Sequence, residues 1–132
     1  MWVDFPRDRW SGFRQERSRL LSFLAANDIQ GVYLLTGDLH SAHAVRADLY
    51  GPQEREIPLW EFCSSPFEQA PEGYTRWSYT PMRDGAIKRQ ERYFTILEHN
   101  FGLVRVDFSA EKPRVAFEVY GSQGELLASV NA

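Results

Sequence analysis

The last third of the sequence alternates between apolar and polar residues, and this alternation constrains the fold more than any other feature. Residues 104–108 are VRVDF and residues 115–119 are VAFEV. Successive side chains of a strand point to opposite faces, so the pattern predicts half-buried antiparallel strands. The segments 109–113 (SAEKP) and 121–124 (GSQG) are typical of turns. We therefore predict a β-meander over residues 93–130, which begins near YFTIL and ends with ELLASV.

A helical pattern near the N-terminus precedes a short apolar run. Apolar residues recur there at the helical period: Phe13, Leu20, Leu21 and Leu24. With Ser11 as a candidate N-cap, the pattern predicts an amphipathic helix over residues 11–27. The run VYLL follows, and because it contains no polar residue it predicts a strand over residues 32–36 that is covered on both faces.

The middle of the chain, residues 48–91, contains most of the prolines, and we expect it to be irregular. Only IPLWEFC, residues 57–63, has the composition of a strand there. These elements predict an α+β fold in a single domain over residues 1–132. In it a helix feeds a buried strand, and an antiparallel meander packs beside that unit in a mixed sheet.

Composition and charge narrow the range of partners. The formal net charge of -3 gives no general attraction to nucleic acid or to an anionic membrane. The single cysteine, Cys63, excludes an internal disulfide. No apolar run has the length of a membrane span, and the N-terminus lacks the apolar core of a signal peptide. The sequence as written predicts a cytoplasmic location, and an extracytoplasmic one if it is part of a longer exported protein.

The segment LLTGDLHSAHA, residues 34–44, contains the densest group of chemically active side chains. Gly37 permits an unusual turn after the strand, and ligands gather at the carboxyl ends of strands in open α/β sheets. Asp38 and His40 could bind one ion there, and oxygen with imidazole suits Fe, Mn or Zn. If HSAHAVRADLY begins a helix, His43 shares a face with His40. An ordinary turn explains the same residues, and their spacing leaves both interpretations open.

Other polar residues allow a functional and a structural interpretation. Cys63 could be a thiolate nucleophile, although a small buried apolar side chain is the interpretation we favour. His99 and Asn100 precede a predicted strand, either as polar loop residues or as substrate contacts. The basic run RDGAIKRQER, residues 83–92, could hold phosphate groups, but a solvated loop or helix face is favoured because acidic residues offset it. The four tryptophans indicate core and interface packing rather than a surface that stacks on bases.

Several segments in order along the chain resemble the PhoD-like alkaline phosphatase and phosphodiesterase family, a branch of the calcineurin-like metallophosphatases. The similar segments are WSGFRQERSRLLSFL (10–24), GVYLLTGDLHSA (31–42), PLWEFCSSP (58–66), NFGLVRVDF (100–108) and GSQGELL (121–127). Gly-Asp-x-His is the most distinctive motif among them. The order of the segments resembles the C-terminal portion of the family's catalytic domain along nearly the whole chain.

The resemblance implies a β-sandwich flanked by helices, with a two-metal centre that hydrolyses phosphate monoesters or diesters. The family's Gly-Asp-x-His motif supplies metal ligands, and it matches Asp38 and His40 here. The implied cofactor is a divalent or trivalent ion (Fe, Mn, Zn or Ca) that polarises the phosphoryl group and generates a hydroxide nucleophile. His43, His99 and Asn100 are candidates for the substrate side, and no catalytic residue is assigned.

The family's remaining metal ligands lie on strands that precede these segments. No Asp-x-His, Gly-Asp-x-x-Asp or Gly-Asn-His sequence occurs before Trp10. The resemblance therefore implies a chain with part of the metal site that is inactive alone. The alternative is a non-enzymatic interaction domain. In both cases we expect an exposed apolar face that binds a second copy or the missing N-terminal half, and neither a nucleic-acid nor a membrane partner.

Overall fold

The computed structural model describes residues 10, 12–69 and 83–132, which form one helix and two β-sheets. In chain order the elements are α1 (Arg14–Ala26), β1 (Val32–Thr36), β2 (Ala42–Tyr50), β3 (Glu56–Cys63), β4 (Ile87–Ile96), β5 (Asn100–Asp107), β6 (Arg114–Gly121) and β7 (Leu126–Asn131). A short 3-10 turn, Pro52–Glu54, lies between β2 and β3. The predicted α+β class and the helix that feeds a strand at residues 32–36 are confirmed.

The two sheets differ in their pairing. The first sheet has the order β1-β3-β2-β4, and β1 runs parallel to β3 while the other neighbours are antiparallel. The second sheet, β5-β6-β7, is an antiparallel meander. The mixed sheet and the meander are therefore separate layers. Within the described residues, β1 and β5 each lie at one edge of their sheet.

Helix α1 covers one face of the mixed sheet. Leu21, Leu24 and Ala25 are buried against side chains that alternate along β2 and β3. Those strand residues are Val45, Ala47, Leu49, Ile57 and Leu59. Because α1 buries only one face, removing these apolar groups from water is its main source of stability.

The meander packs against the opposite face of the mixed sheet, which makes a two-sheet sandwich. The rings of Phe62 on β3 and Phe117 on β6 stack with 4.7 Å between their centroids. Phe94 on β4 lies 6.1 Å from the same Phe117 ring. Small side chains on β2, Ala42 and Ala44, leave room for these aromatic residues in the buried layer. The strands of the sandwich and the helix thus form three layers.

The expectation of an irregular segment over residues 48–91 was wrong for much of its length. Strand β2 ends at Tyr50, β3 includes the predicted strand at 57–63, and β4 begins at Ile87. Residues 70–82 lie outside the described residues. The alternative of a helix at HSAHAVRADLY was also wrong, because residues 42–50 form a central strand. This strand is covered on both faces and therefore lacks a period-two pattern in its sequence.

The start of the meander was also predicted incorrectly. Most of YFTIL belongs to β4, which pairs with β2 in the mixed sheet, with Ile96 opposite Ala42. In the basic run, residues 83–86 form a loop, but residues 87–92 lie in this strand rather than in a loop or helix face. As an edge strand, β4 exposes alternate side chains and so accommodates charged residues.

Two details of the N-terminal unit differ from the sequence prediction. Strand β1 lies at the edge of its sheet. It is not covered on both faces, since Leu35 is 68% exposed. Helix α1 begins at Arg14 after the N-cap residue Phe13, whose side chain makes no capping hydrogen bond and is exposed. The predicted N-cap, Ser11, lies outside the described residues.

Within the part of the chain that the structure describes, no helix combines the length and apolar character that crossing a bilayer requires.

Candidate metal centre

The loop between β1 and β2 has an unusual backbone shape. Asp38 and His40 have φ angles of 65° and 53°, in the left-handed region that disfavours residues with a Cβ atom. Leu39 between them is buried and packs with Cys63 of β3. The loop is therefore anchored by its central residue, while the Asp38 side chain is exposed and His40 is half-buried.

A second loop, which follows β3, holds the first one in place. The backbone N–H of His40 donates to Ser65 Oγ at 3.1 Å. The backbone N–H of Ser64 donates to the carbonyl oxygen of Thr36, the last residue of β1, at 3.3 Å. The carboxyl ends of the parallel strands β1 and β3 therefore meet at one edge, which matches the usual position of ligand sites in such sheets.

Asn100, the first residue of β5, joins the meander to this edge. Its Nδ2 donates to the carbonyl oxygens of Ser65 at 2.8 Å and Glu98 at 2.7 Å. Its Oδ1 accepts a hydrogen bond from Ser64 Oγ at 3.0 Å, and its backbone N–H donates to the Pro66 carbonyl at 2.9 Å. With 3% of its surface exposed, Asn100 is a buried structural residue at the rim of the site.

Two cavities open beside these loops and share one aromatic side chain. The first, of about 280 Å³, is lined by Asp38 and by the segment from Ser65 to Gln69. The second, of about 220 Å³, is lined by Phe67, His99, Asn100, Phe101 and Ser122. Phe67 is 80% exposed and lies in both linings. The cavity lined by Asp38 and the cavity lined by His99 and Asn100 are therefore neighbours that meet at Phe67.

His43 lies away from this group. It is on β2, opposite Cys63 of β3 and Thr95 of β4, and only 2% of its surface is exposed. Among the described residues its Nε2 has no hydrogen-bond partner. Burial, with a contribution from the positive charge of Arg92, lowers the pKa of His43 to about 3. The imidazole is therefore neutral at physiological pH and enclosed in the sheet.

Cys63 has the properties of a buried apolar side chain. Its thiol is fully buried and donates to the Ser41 carbonyl at 3.5 Å. Burial, reinforced by the negative charge of Glu61, raises the pKa of the thiol to about 11. Because the thiolate is the nucleophilic form, this environment opposes the nucleophile hypothesis.

The other candidates from the sequence have structural partners. Arg89, in the basic run, donates to Asp48 at 2.7 Å and is not arranged toward the cavities. Trp60 is buried between the sheets, as the packing hypothesis predicts, and Trp10 is partly exposed. Trp2 and Trp77 lie outside the described residues.

The described residues do not form a complete metal centre. No group of three or more His, Cys, Asp or Glu side chains with suitable geometry occurs among them. A catalytic zinc usually requires three protein ligands, and the loop offers a carboxylate and an imidazole. These two donors fit part of a site, and further ligands would have to come from residues that the structure does not describe or from another chain.

The sequence analysis missed Ser65 and Phe67. Both lie in the segment CSSPF at the end of β3, in which the sequence pattern made only the cysteine a candidate. The available signal was a polar pair before a proline at the end of a strand, which is typical of a turn near a sheet edge. Their contacts with His40 and Asn100 depend on tertiary structure.

Comparison with known proteins places the chain in a family. The model of the PhoD-like phosphatase family matches residues 3–117. The chain therefore belongs to the PhoD-like phosphatase family. No curated protein and no solved structure matches it. Family membership indicates a function related to phosphoester chemistry, and metal binding is general in this family.

Proposed function

We propose that this chain is the C-terminal portion of a metal-dependent phosphoesterase and contributes Asp38 and His40 to its metal site. The main support is the family match over residues 3–117, which includes the Gly-Asp-x-His loop. The bound ion is Fe, Mn, Zn or Ca, and it would supply Lewis acidity and a nucleophilic hydroxide for phosphate monoester or diester hydrolysis.

The local geometry supports this role for the two side chains. Asp38 is exposed and lines a cavity of about 280 Å³. The left-handed backbone at Asp38 and His40 is uncommon for residues other than glycine, although aspartate and histidine adopt it more often than most, and it gives the loop a tight shape. Further ligands come from another segment or chain, so we expect little hydrolysis by this chain alone.

The metal assignment is tested by measuring the Mn, Fe and Zn content of the purified chain and its turnover of bis-p-nitrophenyl phosphate. We expect Asp38→Ala and His40→Ala each to lose most of the bound metal. Glu111→Ala is a matched control, since Glu111 is an exposed carboxylate in the loop between β5 and β6. Metal content that stays unchanged in both site variants would contradict the assignment.

A second candidate function is a non-enzymatic interaction domain that associates with a second copy of itself. An apolar groove of about 410 Å³ lies between the edge strands β1 and β5. Its apolar lining includes Tyr33, Leu35, Val104, Val106 and Phe108. Leu35 and Phe108 are strongly exposed, and an edge strand without charged residues favours pairing with another chain.

Sedimentation velocity over a range of protein concentrations tests this second function. We expect a concentration-dependent dimer that Leu35→Arg shifts to monomer. Leu126→Arg serves as the control, because Leu126 is also an exposed leucine but lies on β7, outside the groove lining. A monomer at all concentrations, or a dimer equally sensitive to both substitutions, would contradict the use of this groove.

A further inference from the structure

The conformation of the Asp38–His40 loop requires support from outside the loop. Both residues are in the left-handed region, which residues other than glycine adopt less often than the right-handed or extended regions. Leu39 supplies apolar anchoring through its contact with Cys63. The backbone N–H of His40 donates a hydrogen bond to Ser65 Oγ at 3.1 Å, which ties the loop to the segment that follows β3. The Ser65 hydroxyl therefore sits where it can fix the His40 backbone.

Ser65 is itself held by the second sheet. Its carbonyl accepts a hydrogen bond from Asn100 Nδ2 at 2.8 Å, and the neighbouring Ser64 hydroxyl donates to Asn100 Oδ1 at 3.0 Å. The Asn100 backbone N–H donates to the Pro66 carbonyl at 2.9 Å. Asn100 thus binds three successive residues of the loop after β3. The hydrogen bonds continue from β5, through this loop, to His40 in the loop between β1 and β2.

The amide of Asn100 matches this arrangement chemically. The side-chain amide of Asn100 has two N–H donors and a carbonyl acceptor. Here it donates to two backbone carbonyls and accepts from the Ser64 hydroxyl. A carboxylate at this position has no N–H donor and would leave the Ser65 and Glu98 carbonyls without those bonds. Because Asn100 is almost fully buried, water does not readily replace them.

We propose that Ser65 and Asn100 are positioning residues that orient His40 for metal binding, Ser65 directly through the His40 N–H and Asn100 through Ser65. The metal part of this inference rests on the proposed function. The positioning of the loop is supported by the hydrogen bonds and does not depend on a metal ion.

The loop is tested first without metal, by recording amide shifts and hydrogen exchange in the full chain by NMR. We expect Ser65→Ala to speed exchange of the His40 amide by roughly five- to tenfold and to move the amide signals of Asp38 and Leu39. Ser65→Thr keeps the hydroxyl and should restore both readouts. Asn100→Asp should change the Ser65 and His40 signals together. Ser129→Ala, an exposed serine on β7, is the control for a general effect on folding.

An unchanged His40 amide in Ser65→Ala would overturn the positioning by Ser65. A change confined to residues near Asn100 in Asn100→Asp would overturn the relay from the second sheet.

The metal part is tested by titrating Mn²⁺ and following paramagnetic broadening of the Asp38 and His40 signals. We expect Ser65→Ala to weaken Mn²⁺ binding by about tenfold or more, with Ser65→Thr close to the parent chain. Equal Mn²⁺ affinity in the parent chain and Ser65→Ala, with a loosened His40 amide, would overturn positioning toward a metal. No broadening in the parent chain would overturn both the proposed metal role and positioning toward it, while the amide measurements would still decide whether the loop is positioned.

Discussion

His43 is a polar side chain in a fully enclosed position on the central strand β2. Its pKa falls from 6.5 to about 3, chiefly because burial disfavours the charged imidazolium and also because Arg92 is positively charged. In the unfolded chain the same imidazole binds a proton near its ordinary pKa. The unfolded state therefore holds more protons between these two values, and stability is lost as the pH falls from about 6.5 toward 3.

Replacing His43 tests this linkage at the level of one residue. In the parent chain, we expect protonation of His43 in the unfolded state to lower the free energy of unfolding by up to about 1.4 kcal/mol per pH unit below the ordinary histidine pKa. We expect His43→Leu to remove this contribution. The free energy of unfolding, measured with urea at pH 7, 5.5 and 4.5, should therefore fall less steeply in the variant than in the parent chain.

His99→Leu is the control for this experiment, because His99 is exposed at a cavity rim. The free energy of unfolding of this variant should fall with pH as steeply as that of the parent chain. If His43→Leu and the parent chain lose stability in parallel over this pH range, His43 is not the group responsible.

Among the elements, β2 and β4 are joined by an ion-pair cluster as well as by backbone pairing. Asp48 on β2 is 1% exposed and accepts hydrogen bonds from Arg46 Nε at 2.7 Å and Arg89 Nη2 at 2.7 Å. Since a buried carboxylate is unfavourable without partners, both arginines are needed to satisfy it. This cluster pairs one charged side chain of β4, Arg89, with the buried carboxylate of β2.

Removing the charge of Asp48 should weaken the contact between these two strands. We expect Asp48→Asn to lower the free energy of unfolding by about 2–3 kcal/mol, because charged hydrogen bonds are replaced by weaker ones and an amide donor faces the arginines. Urea unfolding monitored by tryptophan fluorescence gives the value.

Glu56→Gln provides the comparison, since Glu56 on β3 pairs with Lys88 on β4 at 3.0 Å in the same sheet but at an exposed position. It should leave the urea midpoint unchanged. A similar loss in both variants would show that charge on this part of the sheet, rather than the buried cluster, determines the stability.

The elements that the sequence predicted well are those with one covered face. The alternation in residues 104–108 and 115–119 reflects strands of the meander, and the leucines of α1 reflect its contact with the mixed sheet. Strand β2 could not be recognised in the same way, because both of its faces are covered and its small alanines are also good helix formers. Local pattern therefore fails where packing on two sides determines the structure.

Only the part of the candidate site that lies in one short segment could be predicted from the sequence. Asp38 and His40 lie two positions apart in one short motif, so their place after β1 could be anticipated. The support from Ser65 and Asn100 could not, because these residues are brought together only when the two sheets pack. His43 was grouped with His40 through a helical spacing that the strand does not have.

At the scale of the whole molecule, the meander and the loop that follows β3 of the mixed sheet approach closely at Gly102 on β5. A Cβ atom at this position would lie 2.6 Å from the Phe117 ring and 2.8 Å from the Ser64 Cβ. Both distances are shorter than normal van der Waals contact. The absence of a side chain at residue 102 therefore permits the packing of the meander beside the loop that follows β3.

Adding a methyl group at this point should separate the layers. We expect Gly102→Ala to lower the free energy of unfolding by about 1–3 kcal/mol through overpacking. The same substitution should shift the NMR signals of Ser64 and Ser65, because Ser64 is one of the groups displaced.

Gly85→Ala is a suitable control, since nothing lies within 4 Å of a Cβ atom built there. It should change the stability little. If Gly102→Ala is equally well tolerated, the close approach of β5 to the loop after β3 is not a constraint on this fold.

The parallel pairing of β1 with β3 has a consequence for the order in which the chain assembles. Tyr50 pairs with Glu56 across a short turn, whereas Val32 pairs with Leu59 only after the chain has passed through β2. Short loops close at a smaller entropic cost than long ones, so we expect the β2–β3 hairpin to form before β1 docks. The loop with Asp38 and His40 would then acquire its shape late, and an ion that binds it would favour completion of the sheet.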